Sequence, residues 1–196
     1  VLAPLDDTAL VAPVADATRR GIPGVVIDSG LKGEDFISFV ATDNRASGRM
    51  AGDGMKSMLP GGGKVLVLRY QEGSDSTTER EEGFLESIRA GANMQVVSDN
   101  QYGGTDVESA YRRSETLLSR FKTADGRLDV QGIFTPNEST TLAMLRVLQD
   151  NGWVGKVTFI GFDASDSLGK GLESGHIQGL VLQGPVKMGY LGVQTM

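Results

Sequence analysis

Val157 to Ser167 reads VTFIGFDASDS, and its reading decides the fold. Val157, Phe159 and Ile160 form a β-branched and aromatic run without polar alternation, the pattern of a strand buried on both faces of a parallel sheet. Gly161-Phe162-Asp163 ends the run. Asp166 or Ser167 can then cap a helix carrying Leu168 and Leu172. Asp163 therefore stands at the carboxyl edge of a strand, which is where open α/β sheets bind ligands.

The same unit of short apolar run, polar turn and helical stretch recurs on both sides of this segment. Before it come runs at Val1 to Ala3, Val25 to Ile27, Phe36 to Val40, Lys64 to Leu68, Met94 to Val97 and Val130 to Phe134, and after it Ile177 to Leu182. Asp6 or Asp7 is expected to cap a helix with Leu10, Val14 and Ala17 on one side, and Asp43 or Asn44 one with Ala46, Met50, Met55 and Met58. The clearest helix starts near Asp106, with Val107, Ala110, Tyr111, Ser114, Leu117, Leu118 and Phe121 at helical spacing. Pro185 suits the first turn of a last helix. Strands alternating with helices of this length imply parallel β-α-β units with right-handed crossovers, so the fold class is α/β.

Composition narrows the function. The 196 residues carry a net charge of −6, with 19 Lys and Arg against 25 Asp and Glu and no dense basic cluster, which disfavours a nucleic-acid partner. No apolar run approaches the ~18 residues of a membrane span. Cysteine is absent, which removes disulfides and thiolate chemistry. His176 is the sole histidine; it sits in a Gly-His-Ile turn, and no G-x-S-x-G elbow accompanies it, so neither a hydrolase triad nor a zinc site is expected. GGGK at Gly61 to Lys64 precedes its strand and lacks the following Ser or Thr of a phosphate loop, so it reads as a turn.

The polar residues that stand out all fall just after an apolar run: Asp28, the Gly73 to Thr78 loop, Thr135-Pro136-Asn137, Asp163 and Gln183. Each has a plainer local role available, Asn137 as a helix cap and Asp28 in an Asx-turn. Their shared place along one edge favours a binding site. Carboxylates and amides on rigid strand ends can grip something small, and no nucleophile or general base is needed for that.

Together these stretches resemble the periplasmic sugar-binding proteins of the ribose-binding type, which share a fold with the effector domains of LacI-type repressors. The matching segments are VVIDSG (Val25 to Gly30), ATDNRASGRMAGD (Ala41 to Asp53), the helix start at Arg80 to Phe84, TPNESTTLAMLRVLQDNG (Thr135 to Gly152), FIGFDAS (Phe159 to Ser165) and LVLQGPVKMG (Leu180 to Gly189). The resemblance implies two doubly wound lobes with a ligand in the cleft between them. Residues 1–41 would be the remainder of the N-terminal lobe, 42–183 the C-terminal lobe, and 184–196 the return to the first. The start, VLAPLDD, has no Met and no signal-peptide pattern, so the chain is expected to be a fragment whose first lobe is incomplete.

By the same resemblance the ligand-binding side chains would be Asp28, Thr78, Thr105, Asn137, Asp163 and Gln183. Ser29 and Thr78 stand where ribose binders carry arginines, Arg80 matches a helix-start residue with a structural role, and Tyr102 would stack on a sugar or pack its loop. Asp163 and Asn137 are expected to matter for binding and little for folding, since neither belongs to an apolar core. The implied function is solute binding for an ABC transporter in the periplasm, with a monosaccharide or polyol and a membrane permease as partners and no cofactor or metal. The alternatives are the sugar-effector domain of a LacI-type regulator and an α/β enzyme acting on a sugar phosphate.

Overall fold

The computed structural model describes residues 1–196. The elements follow in the order α1 (Val11–Arg19), β1 (Val25–Ile27), β2 (Ser38–Val40), α2 (Asn44–Met58), β3 (Gly63–Arg69), α3 (Asp75–Arg89), β4 (Met94–Tyr102), α4 (Val107–Ser119), β5 (Gly132–Phe134), α5 (Glu138–Asp150), β6 (Thr158–Phe162), α6 (Asp166–Glu173), β7 (Gly179–Val181) and α7 (Pro185–Gln194). They build two sheets. β1 and β2 pair in parallel, with Leu2 bridging to Val26, and the other five strands form a parallel sheet in the order β4-β3-β5-β6-β7.

Burial on both faces explains the unbroken apolar runs. In β3, Val65 and Val67 join Met55, Phe84, Leu85, Ile88, Phe134, Ile160 and Phe162 on the side of α2 and α3. Leu66 and Leu68 point the other way, into a core with Leu117, Leu118, Ile133, Met144, Leu148 and Phe159. This is the two-residue period of a strand covered by helices above and below. Phe84 and Phe134 stack at 4.2 Å between centroids and join α3 to the middle of the sheet.

α2 and α3 touch backbone to backbone. A Cβ at Gly48 would lie 2.0 Å from the Arg80 carbonyl oxygen, and one at Gly83 would lie 2.1 Å from that of Arg45. Only glycine permits this crossing. It fixes the first turns of α3, and with them the side chains that α3 sends toward the carboxyl edge of the sheet.

The elements depart from the sequence reading in several places. α6 starts at Asp166 with Ser165 in the N-cap position and no side-chain cap bond, so neither Asp166 nor Ser167 caps it. The expected first strand is a single bridge at Leu2. Asp6 does cap, but it accepts from the amides of Thr8 and Ala9 in a turn at 2.8 and 2.7 Å, so α1 starts only at Val11, after an uncapped Leu10. β4 continues past Val97 to Tyr102, because an edge strand pairs through its backbone and tolerates the polar SDNQ. β6 runs through Gly161 to Phe162, since Thr141 fills the space that a side chain at Gly161 would need, 2.2 Å from its Cβ position.

Candidate functional site: a polar recess between the two sheets

A recess of about 190 Å³ opens where the carboxyl ends of the two sheets meet. Asp28 and Ser29 reach it from the turn after β1, Tyr70 from the end of β3, Arg80 from α3, and Asn137, Asp163 and Gln183 from the ends of β5, β6 and β7. Four of the six residues that the sequence reading singled out thus come together: Asp28, Asn137, Asp163 and Gln183. Thr78 and Thr105 do not join them. Ser76, Thr77 and Arg80 occupy the recess-facing side of α3, and Thr78, one residue and about 100° further round, lines a neighbouring hollow with Arg69 and Tyr102. Thr105 is exposed in the turn leading into α4.

Asp163 is held on three sides. Its amide donates to the Val181 carbonyl at 2.8 Å, Oδ1 accepts from Gln183 Nε2 at 2.7 Å, and Oδ2 accepts from the Glu138 amide at 3.1 Å. That last bond places a carboxylate at the start of α5, where the helix dipole favours it. Asp28 differs: its amide donates to Val40 at 3.0 Å, and its carboxylate faces the recess without a partner in the chain.

Asn137 has both of its candidate roles. It is the N-cap of α5, its Oδ1 accepting from the Thr140 amide at 3.3 Å and from Thr140 Oγ1 at 2.6 Å. The acceptor end is therefore used, and the Nδ2 donors remain for a ligand. The expectation that Asn137 matters little for folding is corrected by this cap, since losing such a residue costs about 0.5–2 kcal/mol.

Arg80 is the residue that the sequence reading placed outside the site. It is 2% exposed, and its guanidinium lies 4.0 Å over the Phe162 ring. Nε donates to Asn44 Oδ1 at 2.9 Å and Nη1 to the Pro136 carbonyl at 3.0 Å, while no carboxylate comes within ion-pair distance. Burial lowers its pKa, and Asp163 and Asp28 oppose that shift. An arginine nevertheless keeps its proton, so the recess holds a fixed cation between two carboxylates with Nη2 still unpaired. A signal for this was present: Arg80 lies in line with Phe84 and Ile88 at i, i+4 and i+8, on the buried stripe of its helix.

Behind the wall, Glu81 is 1% exposed and accepts from the Tyr70 amide at 3.0 Å and from Arg69 Nη1 at 3.0 Å. Burial pushes its carboxyl up to about 7, against the pull of the Tyr70 amide and Arg69. It anchors the end of β3 from which Tyr70 enters the recess.

Fixed acceptors and donors at the ends of parallel strands can hold a small ligand by paired hydrogen bonds. The periplasmic binding protein domain matches the chain from residue 1 to 196. The chain belongs to this periplasmic binding protein family.

Within the family, a ribose import binding protein of Haemophilus influenzae is 33% identical over 192 residues, which are 98% of this chain and 62% of that protein. The chain thus spans a little over three-fifths of the length of that relative. Among solved structures, the periplasmic component of an ABC-type sugar transport system from Hahella chejuensis superposes with a TM-score of 0.92 at 36% identity, over 98% of this chain and 68% of the other. A solute-binding protein of an ABC transporter from Agrobacterium vitis, with D-fucose bound, gives 0.90 at 34% identity, over 99% and 66%. The α/β architecture with parallel sheets is accordingly that of these two-lobe, doubly wound sugar-binding proteins, over about two thirds of their length. The names of these relatives are those of sugar-binding transport proteins.

Proposed function

We propose that the chain binds a neutral monosaccharide or polyol reversibly in the recess, through Asp28, Arg80, Asn137, Asp163 and Gln183, as the solute-binding component of an ABC transporter in the periplasm. The observation that carries this reading is the meeting of Asp28 and Asp163, carboxylates from two different sheets, around the Arg80 guanidinium, whose Nη2 has no partner in the chain. A sugar presents adjacent hydroxyls that donate to such carboxylates and accept from the guanidinium and the Asn137 amide. The chemistry proposed is binding without turnover.

The same reading divides the chain into lobes at 1–41 with 184–196, and at 42–183. It is supported by the five-stranded sheet falling wholly inside the second segment and by α7 packing against β1 and β2. A membrane permease is the proposed partner. The import proteins among the relatives favour transport over the effector domain of a regulator.

A thermal-shift screen over common monosaccharides and polyols, followed by calorimetry on the hits, tests the proposal. At a hundredfold excess over Kd a true ligand should add about 2.7 kcal/mol and raise the melting temperature by about 5–10 °C. Failure of every neutral sugar and polyol, or turnover of any of them, would sink it.

A further inference from the structure

The turn that presents Asp28 to the recess continues into Ser29 and Gly30, and these two residues reach across to the first turn of α3. Ser74 occupies the N-cap position of that helix but makes no side-chain cap bond. The Ser76 amide, one of the donors that a helix start leaves without a partner, donates instead to Ser29 Oγ at 3.1 Å. In the opposite direction the Gly30 amide donates to Asp75 Oδ2 at 3.0 Å. Ser29 and Ser76 are both buried. A third bond runs beside them, from the Asp7 amide to the Gly73 carbonyl at 2.9 Å.

We propose that Ser29 and Asp75 form a latch between the two lobes, in which Ser29 caps α3 in trans and thereby holds the helix that carries Arg80. The exchange has the logic of a capping box, two orphan groups satisfied reciprocally, but its halves belong to different lobes. Parting the lobes undoes both bonds together and leaves α3 without its cap. The approach is close enough that a Cβ on Gly30 would lie 2.6 Å from Asp75 Oδ2, so the glycine is part of the device. Ser29 and Asp75 are positioning residues here. The latch depends on the lobe division and not on which solute the cleft takes, so it can stand if the sugar reading fails.

The chain has no cysteine, so spin labels at Glu34→Cys and Glu115→Cys, both exposed, report the distance between the lobes without further changes. The distance distribution should shift to longer values in Ser29→Ala and in Asp75→Ala, and Ser29→Thr, which keeps the hydroxyl, should restore it. In Ser29→Ala the Ser76 amide should exchange with solvent at least tenfold faster, while the amides of Ile133 and Phe159 in the central strands stay as protected as before. A shift in either alanine variant with the central amides unchanged supports the latch. Unchanged distances in both overturn it, and so does faster exchange that extends equally to Ile133 and Phe159. Should Ser29→Ala fail to fold, Asp75→Ala, which lies outside the recess, decides the matter alone.

Discussion

Asp28 and Asp163 hold the same left-handed backbone conformation, with φ of 69° and 68°, each immediately after a strand and each in a different sheet. A non-glycine residue in this region costs on the order of 1 kcal/mol or more unless its surroundings hold it there, and such residues gather at ligand sites. Asp tolerates the conformation better than most side chains because it can bond locally. Asp163 instead has both oxygens bonded to distant parts of the chain, Glu138 and Gln183. Asp28 has neither bonded.

Asp28→Gly should therefore separate binding from folding. Glycine adopts the left-handed turn without strain, and the Asp28 amide bond to Val40 survives the change. We expect a ligand-free melting temperature equal to or above that of the parent, with affinity for the best monosaccharide or polyol reduced at least tenfold, as befits a lost charge-assisted bond. A variant that keeps its affinity would show that the Asp28 carboxylate does not touch the solute.

At Asn137 two substitutions distinguish the cap from the cleft. Asn137→Asp retains an acceptor for the Thr140 amide and removes the Nδ2 donors, whereas Asn137→Ala removes both. The alanine variant should lose about 1 kcal/mol of stability, or about 2–4 °C in melting temperature. The aspartate variant should melt like the parent. Both should bind at least tenfold more weakly by calorimetry, and unchanged affinity in Asn137→Asp would reduce the residue to a helix cap.

Much of this arrangement was legible because parallel strands buried on both faces lose polar alternation, so that the polar residue ending each run stands out: Asp28 after VVI, Asn137 after IFTP, Asp163 after FIGF. Relations between distant segments left no such mark. Nothing in the order of residues shows that Ser29 caps a helix starting at Asp75. The run TEREE reads as a solvated face, yet Arg80 and Glu81 within it are buried while Glu79 is half-exposed. Matching Thr78 to a family position ignores the 100° turn per helical residue that sends Thr77 into the recess and Thr78 beside it. The sequence shows β4 only as far as Val97, because residues 98–101 of this edge strand are polar.

The crossing of α2 and α3 makes Gly48 a distant determinant of the recess. Gly48→Ala would normally favour a helix by up to about 1 kcal/mol. Here the new methyl meets the Arg80 carbonyl, a backbone atom that cannot rotate away. Overpacking of this kind costs about 1–3 kcal/mol, so the variant should melt lower despite its better helix propensity. Because the displaced backbone is that of Arg80, ligand affinity should fall as well. An Ala variant as stable as the parent would mean that the helices can part without cost.

The pH dependence of stability should carry the mark of Glu81. Its carboxyl titrates near 7 in the folded chain, against an ordinary value of 4.5, because burial disfavours the charged form more than the Tyr70 amide and Arg69 favour it. Between those two values the folded state binds a proton that the unfolded state has released, so stability falls as pH rises. The contribution is fully present below about 4.5 and is lost by about 7, amounting to about 3 kcal/mol for a shift of this size. Asp53 and Glu86, held below the ordinary range by Ser87 and Arg45 respectively, act in the opposite sense, and they do so at lower pH as their carboxylates are protonated. Glu81→Gln keeps an acceptor for the Tyr70 amide and cannot titrate. Urea denaturation of both proteins at several values between pH 5 and 8 should show the stability of the parent declining relative to the variant up to about pH 7, then running parallel to it. Parallel curves across the whole range would mean that Glu81 is ionised throughout, with the Arg69 pair and the Tyr70 amide outweighing its burial.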